Sequence, residues 1–232
     1  MTDPGAPASF RLGYVPGATP GKWARMWAER VPDVPLDLVT VGAAEAEDAV
    51  RSGAVDAGVV RLPIDRTGLH AIPLYTEATV VVVPKDHVVT AADEVTVEDL
   101  ADEVVLHPAD GTLGWDGDGP GTAATVVPAT TAEAVELVAA GVGVLVVPQS
   151  LARLHHRRDL TYRPLAGAPA SSVVLTWPDA ETSDLMEQFI GIVRGRTVNS
   201  SRTPRREDAP AHTPAKRPTA RRRTARRGRP RR

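Results

Sequence analysis

No cysteine occurs anywhere in the 232 residues, which removes disulfides, thiolate metal sites and a cysteine nucleophile together. No apolar run reaches the ~18 residues that a transmembrane helix needs. The opening stretch Met1–Ser9 has neither the basic segment nor the apolar segment of a secretory signal. The expected location is therefore the cytoplasm, with nucleoid association as a variant. Also missing are a Gly-x-Ser-x-Gly elbow, a Walker loop, a His-Glu-x-x-His motif and a dinucleotide fingerprint, so no enzyme and no cofactor are expected. The six histidines are scattered. Asp116 and Asp118 in "WDGDGPG" lack the further oxygen ligands of a calcium loop, and His155 and His156 are adjacent rather than on one helix face. No metal site is expected either.

What is present is a strong charge asymmetry under a net charge of only -2. Residues 1–201 hold 14 of the 27 Lys and Arg and 27 of the 29 Asp and Glu, a net -13, while residues 202–232 hold 13 and 2, a net +11. An acidic body repels polyanions and a basic end attracts them, so contact with nucleic acid is expected from the end of the chain. That end carries Pro204, Pro210, Pro214, Pro218 and Pro230 and no apolar residue larger than Ala. It is expected to be disordered, because it has too little apolar surface to offset the entropy of folding.

From Phe10 to about Gly195 short β-branched runs alternate with helix-like stretches, the pattern of an α/β domain with mainly parallel strands. Strands are expected over Phe10–Tyr14, Leu36–Val41, Asp56–Val60, Thr79–Val83, Val104–Leu106, Val144–Val147 and Ser172–Trp177. The unbroken apolar runs Val80–Val83 and Val144–Val147 suit strands covered on both faces. Thr19 before Pro20 reads as an N-cap and first-turn proline, with Trp23, Met26 and Trp27 on one face of the helix that follows. A second helix runs from about Ala44 to Ser52 and stops at Gly53. Thr130 and Glu133 have capping-box spacing and open a helix that ends at Gly141. A last helix carries Leu185, Met186, Phe189, Ile190 and Val193.

Five strings in order, "FRLGY", "VPDVPLDLVTVG", "AVRSGAVDAGVVRLP", "GLHAIPLYTEATVVVVPKDH" and "ELVAAGVGVLVVPQS", resemble the substrate-binding, or effector, domain of LysR-type transcriptional regulators over about Phe10 to Arg196. The resemblance implies a two-lobed α/β fold of the periplasmic-binding-protein type (type 2). It places lobe I over 9–82 and 171–196 and lobe II over 83–170, and leaves 197–232 as a disordered Arg/Pro-rich tail. It also implies a small-molecule effector, organic-acid or amino-acid-like, held in the cleft between lobes, a link to transcription regulation, and a homodimer. Two departures stand out. The family's N-terminal winged helix-turn-helix has no counterpart in the nine residues before the first strand, and "ADGTLGWDGDGPGTAA" reads as a Gly-rich loop where the family has a helix.

The loop from Tyr14 to Lys22 runs from a strand end into a helix start, where free N–H groups favour an anion. Thr19, with the backbone of Pro20 and Gly21, either holds an effector carboxylate or simply starts the helix. Arg61, just past a strand, either pairs with that carboxylate or with a protein acid such as Glu77. Thr130 and Thr131 either face the ligand or cap a helix, and Gly42 lines the cleft through its backbone. In the tail, Arg226, Arg227, Gly228, Arg229, Pro230 and Arg231 resemble an AT-hook, in which an extended Arg-Gly-Arg-Pro lies along the narrow, negative minor groove of A·T-rich DNA. The other reading of this stretch is a generic polybasic tail. Two functions follow: an effector-binding domain of LysR type, or a nucleic-acid-binding protein that acts through its tail.

Overall fold

The computed structural model describes residues 9–115, 119–180 and 182–196. All of them fall in the first of two units, Met1–Thr197 and Val198–Arg232. The expected tail and its AT-hook-like stretch, like Asp116 and Asp118, lie outside the described residues.

The first lobe is a five-stranded sheet. Its strands are β1 (Phe10–Tyr14), β2 (Leu36–Thr40), β3 (Ala57–Arg61) and β4 (Leu69–Glu77), joined by the returning β11 (Ser171–Pro178), in the order β2-β1-β3-β11-β4. Helices α1 (Gly21–Arg30) and α2 (Ala46–Arg51) connect the first three strands, and α5 (Asp184–Val193) closes the lobe. The core forms where β1, α1 and α5 meet. Phe10 stacks on Trp27 at 5.0 Å between ring centroids, and Phe189 sits 5.4 Å from Phe10 and 5.9 Å from Trp27. The Trp27 indole N–H is not sacrificed to this packing, since it donates to the Val34 carbonyl at 2.8 Å. Phe189 is fully buried. Phe189→Ala should therefore cost about 3–5 kcal/mol of stability through lost transfer energy and the cavity left behind, read as a lower urea midpoint at unchanged slope.

The second lobe is a six-stranded sheet in the order β6-β10-β5-β9-β7-β8. Its strands are β5 (Thr79–Pro84), β6 (Val95–Thr96), β7 (Val104–Leu106), β8 (Thr122–Ala123), β9 (Val144–Pro148) and β10 (Leu160–Ala166). The valine run of β5 is explained by its central place. Val80 and Val82 pack on the side of α3 (Thr131–Ala139) and α4 (Gln149–Leu154), while Val81 and Val83 face Val89, Leu100 and Leu165. Apolar residues at every position are what a strand covered on both faces requires.

Four expectations change. The sheets are mixed rather than mainly parallel in their pairing: among the described residues the five parallel ladders are joined by four antiparallel ones, which include the longest, because each passage between lobes reverses a strand within its sheet. The expected lobe boundary at 82 moves back to Ala78, since all of β5 pairs within the second sheet. Pro20, not Thr19, occupies the N-cap of α1, already in helical backbone (φ -73°, ψ -2°), with no side chain capping it. The Gly-rich stretch of 109–124 ends in a short strand, β8, beside β7.

Two long strands, β4 and β10, lie beyond the expected set, and each contains a proline, which cannot donate to a ladder. Pro73 is tolerated because β4 is an edge strand, and its register shifts beside β11 at Val173/Val174. Pro164 of β10 pairs with Val80 on one side, while on the other the ladder to β6 covers only Leu165 and Ala166.

Candidate functional site

The lobes are joined at Ala78, between β4 and β5, and by the segment from Gly167 to Ala170, between β10 and β11. These crossings are tied together, for Thr79 donates through Oγ1 to the Pro169 carbonyl and the Gln149 N–H donates to the Ala78 carbonyl at 3.0 Å. Between the lobes lies a cleft of about 1230 Å³. Lobe I contributes the C-terminal ends of its parallel strands, where ligands collect in open α/β sheets. Lobe II contributes the N-terminal ends of α3 and α4.

Thr19, Gly42, Arg61, Thr130 and Thr131 all line this cleft, whereas Pro20 and Gly21 do not. Pro20 is buried and Gly21 is exposed to solvent. The carboxylate of Glu45 covers Gly42, so that a Cβ at Gly42 would lie 2.1 Å from Glu45 Oε2.

The base of the cleft is held by Arg61, whose side chain is 3% exposed. Its Nη1 donates to Glu77 Oε1 at 2.9 Å and to Ser171 Oγ at 3.1 Å. Its Nη2 donates to the Pro16 carbonyl at 3.1 Å and to Ser150 Oγ at 2.8 Å. The second carboxylate oxygen of Glu77 accepts the Ser150 N–H at 3.1 Å. Arg61 and Glu77 come from the ends of β3 and β4 in lobe I, and Ser150 from the first turn of α4 in lobe II. The pair therefore forms a charged staple between lobes, and both terminal nitrogens of Arg61 are already committed to protein acceptors. Beside the staple, burial pushes the Tyr75 phenol above its usual range; the Glu77 charge adds to this and Arg61 opposes it. Tyr75 is thus a neutral hydroxyl at the cleft wall at physiological pH.

On the lobe II side, Thr130 Oγ1 accepts the Glu133 N–H at 3.2 Å, and Glu133 Oε2 accepts the Ala129 N–H at 2.7 Å. The expected capping box is present, with its reciprocal bond shifted by one residue. Thr130 Oγ1 thus serves as the helix cap, as the alternative to ligand contact expected of it. Thr131, 3% exposed, donates to Asp110 Oδ1 at 2.8 Å. Thr130→Ala should cost about 1 kcal/mol by removing the cap, measurable as a reduced urea midpoint.

Sequence reasoning missed Ser150, Ser171 and Asp110. A serine two residues after Pro148, where a strand turns into a helix, was a usable signal for Ser150; nothing local marks the other two. Among the described residues no group of three or more His, Asp or Glu is placed to hold a metal ion, and no helix is long and apolar enough to cross a membrane.

The chain is similar to the Hca operon transcriptional activator HcaR of Escherichia coli (strain K12), 27% identical over 208 residues that make up 81% of this chain and 68% of that protein. It is 29% identical to the HTH-type transcriptional regulator AlsR of Bacillus subtilis (strain 168) over 178 residues, 72% of this chain and 59% of AlsR. The chain thus spans between 59% and 68% of the length of these relatives. Among solved structures, its fold is that of the BenM effector binding domain with its effector benzoate, at TM-score 0.65 and 22% identity over 81% of this chain and 91% of that one. It is also that of the reduced OxyR regulatory domain from Pseudomonas aeruginosa, at TM-score 0.61 and 24% identity over 81% and 95%. Residues 9–197, nearly all of the two-lobed body, match the model of the LysR substrate binding domain, and the chain belongs to that family.

Proposed function

We propose that residues 9–196 sense a small organic acid or amino-acid-like effector in the interlobe cleft and couple its binding to transcription regulation, as a cytoplasmic protein without catalytic activity that works as a homodimer. The observation that carries this reading is the cleft itself. Strand ends and a helix start from lobe I face the starts of α3, with Thr130 and Thr131, and of α4 from lobe II, and the lobe I ion pair Arg61–Glu77, hydrogen-bonded to Ser150 of lobe II, sits at the base. Thr19 Oγ1, the Thr130 hydroxyl proton and the backbone around Gly42 are the groups that receive the effector. Arg61 fixes the base of the cleft, its charge balanced by Glu77 and its hydrogen bonds staying with Glu77, Ser150, Ser171 and Pro16. Pro20 and Gly21 contribute through the field of the α1 start rather than by contact. The effector acts by favouring the arrangement of lobes that it binds best.

The test is a thermal-shift screen of the whole chain against small organic and amino acids. At a ligand concentration about 100 times Kd, a binder should raise Tm by roughly 5–10 °C, and Thr19→Ala should reduce that rise. A panel without any shift, or a shift indifferent to Thr19→Ala, overturns the assignment.

A second reading, nucleic-acid binding through Arg226, Arg227, Gly228, Arg229, Pro230 and Arg231, is favoured by the separation of charge into a -13 body and a +11 end. Binding of an A·T-rich duplex should then weaken with salt, with a log–log slope of about -0.9 per phosphate contacted. It should disappear when the chain is cut after residue 198.

A further inference from the structure

Five residues that line the interlobe cleft carry a formal charge: Glu45, Arg61, Glu77, Asp110 and Arg153. Arg61 and Glu77 cancel each other in their buried pair. Among the described residues the other three enter no ion pair within 4 Å. The cleft is therefore left with two carboxylates and one guanidinium whose charges are not answered by the protein.

None of the three is committed to holding the fold. Glu45 stands at the N-cap of α2, yet its side chain caps nothing, and its carboxylate lies over Gly42 instead. Asp110 is fixed beside the start of α3 by the Thr131 hydroxyl, which donates to Oδ1 at 2.8 Å, and its Oδ2 has no partner among the described residues. Arg153 donates through Nε to Tyr162 Oη at 3.3 Å, and among the described residues neither of its Nη atoms has an acceptor. It follows Ser150 by three residues on α4, so the two share one side of that helix. That side meets the β1–α1 loop, because a Cβ at Gly17 would touch Ser150 and Leu151. Thr19, in the same loop, and Arg153 thus come to one part of the cleft.

This balance of charge discriminates between effectors. A simple carboxylic acid answers Arg153 alone and is repelled by Glu45, by Asp110 and by a body of net charge -13. A molecule that also carries an ammonium group turns both repulsions into attractions, and selectivity is the difference between the two cases. We propose that the effector is a zwitterion of the amino-acid type, its carboxylate on Arg153 and Thr19 and its ammonium on Glu45 and Asp110. The proposal rests on the cleft being the effector site and narrows the effector class to one that carries both charges.

The common amino acids are the probes, each beside the acid that lacks its α-amino group and the amine that lacks its α-carboxylate. All are screened against the whole chain by thermal shift, and Kd is measured by calorimetry for each set that contains a binder. The amino acid should bind more than about fivefold tighter than either counterpart, since one exposed ion pair is worth up to that factor. Glu45→Gln should cost the amino acid about fivefold and the des-amino acid nothing, and Arg153→Gln should weaken both acids about fivefold while sparing the amine. Both side chains are exposed, so the Tm of each variant without ligand should stay that of the parent chain. A des-amino acid that binds as tightly as its amino acid, or an amino preference that survives Glu45→Gln, overturns the proposal and leaves the effector cleft standing. An amine that binds as tightly as its amino acid overturns the role of Arg153. A screen in which no compound raises Tm overturns the effector reading of the cleft and this proposal with it.

Discussion

Arg61→Met is expected to lower the unfolding free energy by about 3–5 kcal/mol, the usual cost of removing one partner from a buried ion pair. The reason lies in what the substitution leaves behind. Glu77 would keep its backbone bond from Ser150 but lose its only guanidinium, while Ser150 Oγ, Ser171 Oγ and the Pro16 carbonyl would each lose a donor. A methionine fills much of the same volume, so lost packing contributes little and the unpaired charge dominates. Replacing both partners, Arg61→Met with Glu77→Leu, should recover most of the loss, because an apolar pair of similar volume has no charge to strand. Urea unfolding of the two single variants and the double variant gives the coupling energy directly. A single-variant loss below about 1 kcal/mol, or strict additivity in the double variant, would show that the pair behaves as an exposed salt bridge does.

The same residues show where sequence reading reaches and where it stops. Arg61 and Glu77 were legible as a possible pair because each ends a β-rich run, so both lie at one edge of a sheet. The staple was not legible, because its other members come from the β1–α1 loop and from α4, and the separation of 89 residues between Arg61 and Ser150 is closed only by the packing of lobe II. The regular elements followed the same division. Runs with one dominant local signal, such as β1, β7 and α3, were read to within a residue. Helix α1 was displaced by a residue at its start because Thr19 and Pro20 carry capping signals that differ by one position, and the structure uses the proline. Strands β4 and β10 each hold a proline, a local signal against a strand, which edge position and a short neighbouring ladder, both tertiary facts, permit. The candidate site divides likewise. Thr19, Gly42, Arg61, Thr130 and Thr131 converge because strand ends and helix starts share one side of the sheets, whereas Asp110 enters through a loop whose course no local pattern records and Ser171 through the return of β11 beside β4, a tertiary pairing.

Gly17 offers the sharpest test of whether lobe approach governs ligand binding. Its backbone sits at φ +83°, and a Cβ there would lie 2.6 Å from Ser150 Oγ, 2.9 Å from Arg61 Nη2 and 3.2 Å from Leu151 Cδ2. Any side chain at this position therefore meets both the staple and the lobe II helix behind it. Gly17→Val should incur about 1–2 kcal/mol of backbone strain and in addition force α4 away from the β1–α1 loop, widening the cleft. Gly53 supplies the control, since it also has positive φ, +71°, but a Cβ there would meet nothing within 4 Å. Gly53→Val should thus bear a similar backbone cost while leaving the lobes as they are. If the two faces of the cleft must contact the effector together, Gly17→Val should weaken binding of any acid found in the thermal-shift screen by more than about tenfold, since 1.4 kcal/mol of lost contact suffices for that. Gly53→Val should leave the affinity nearly unchanged at a comparable loss of stability. Equal affinities in the two variants would mean that the effector is held by one lobe alone, and that the staple sets the stability of the fold without setting the geometry of its site.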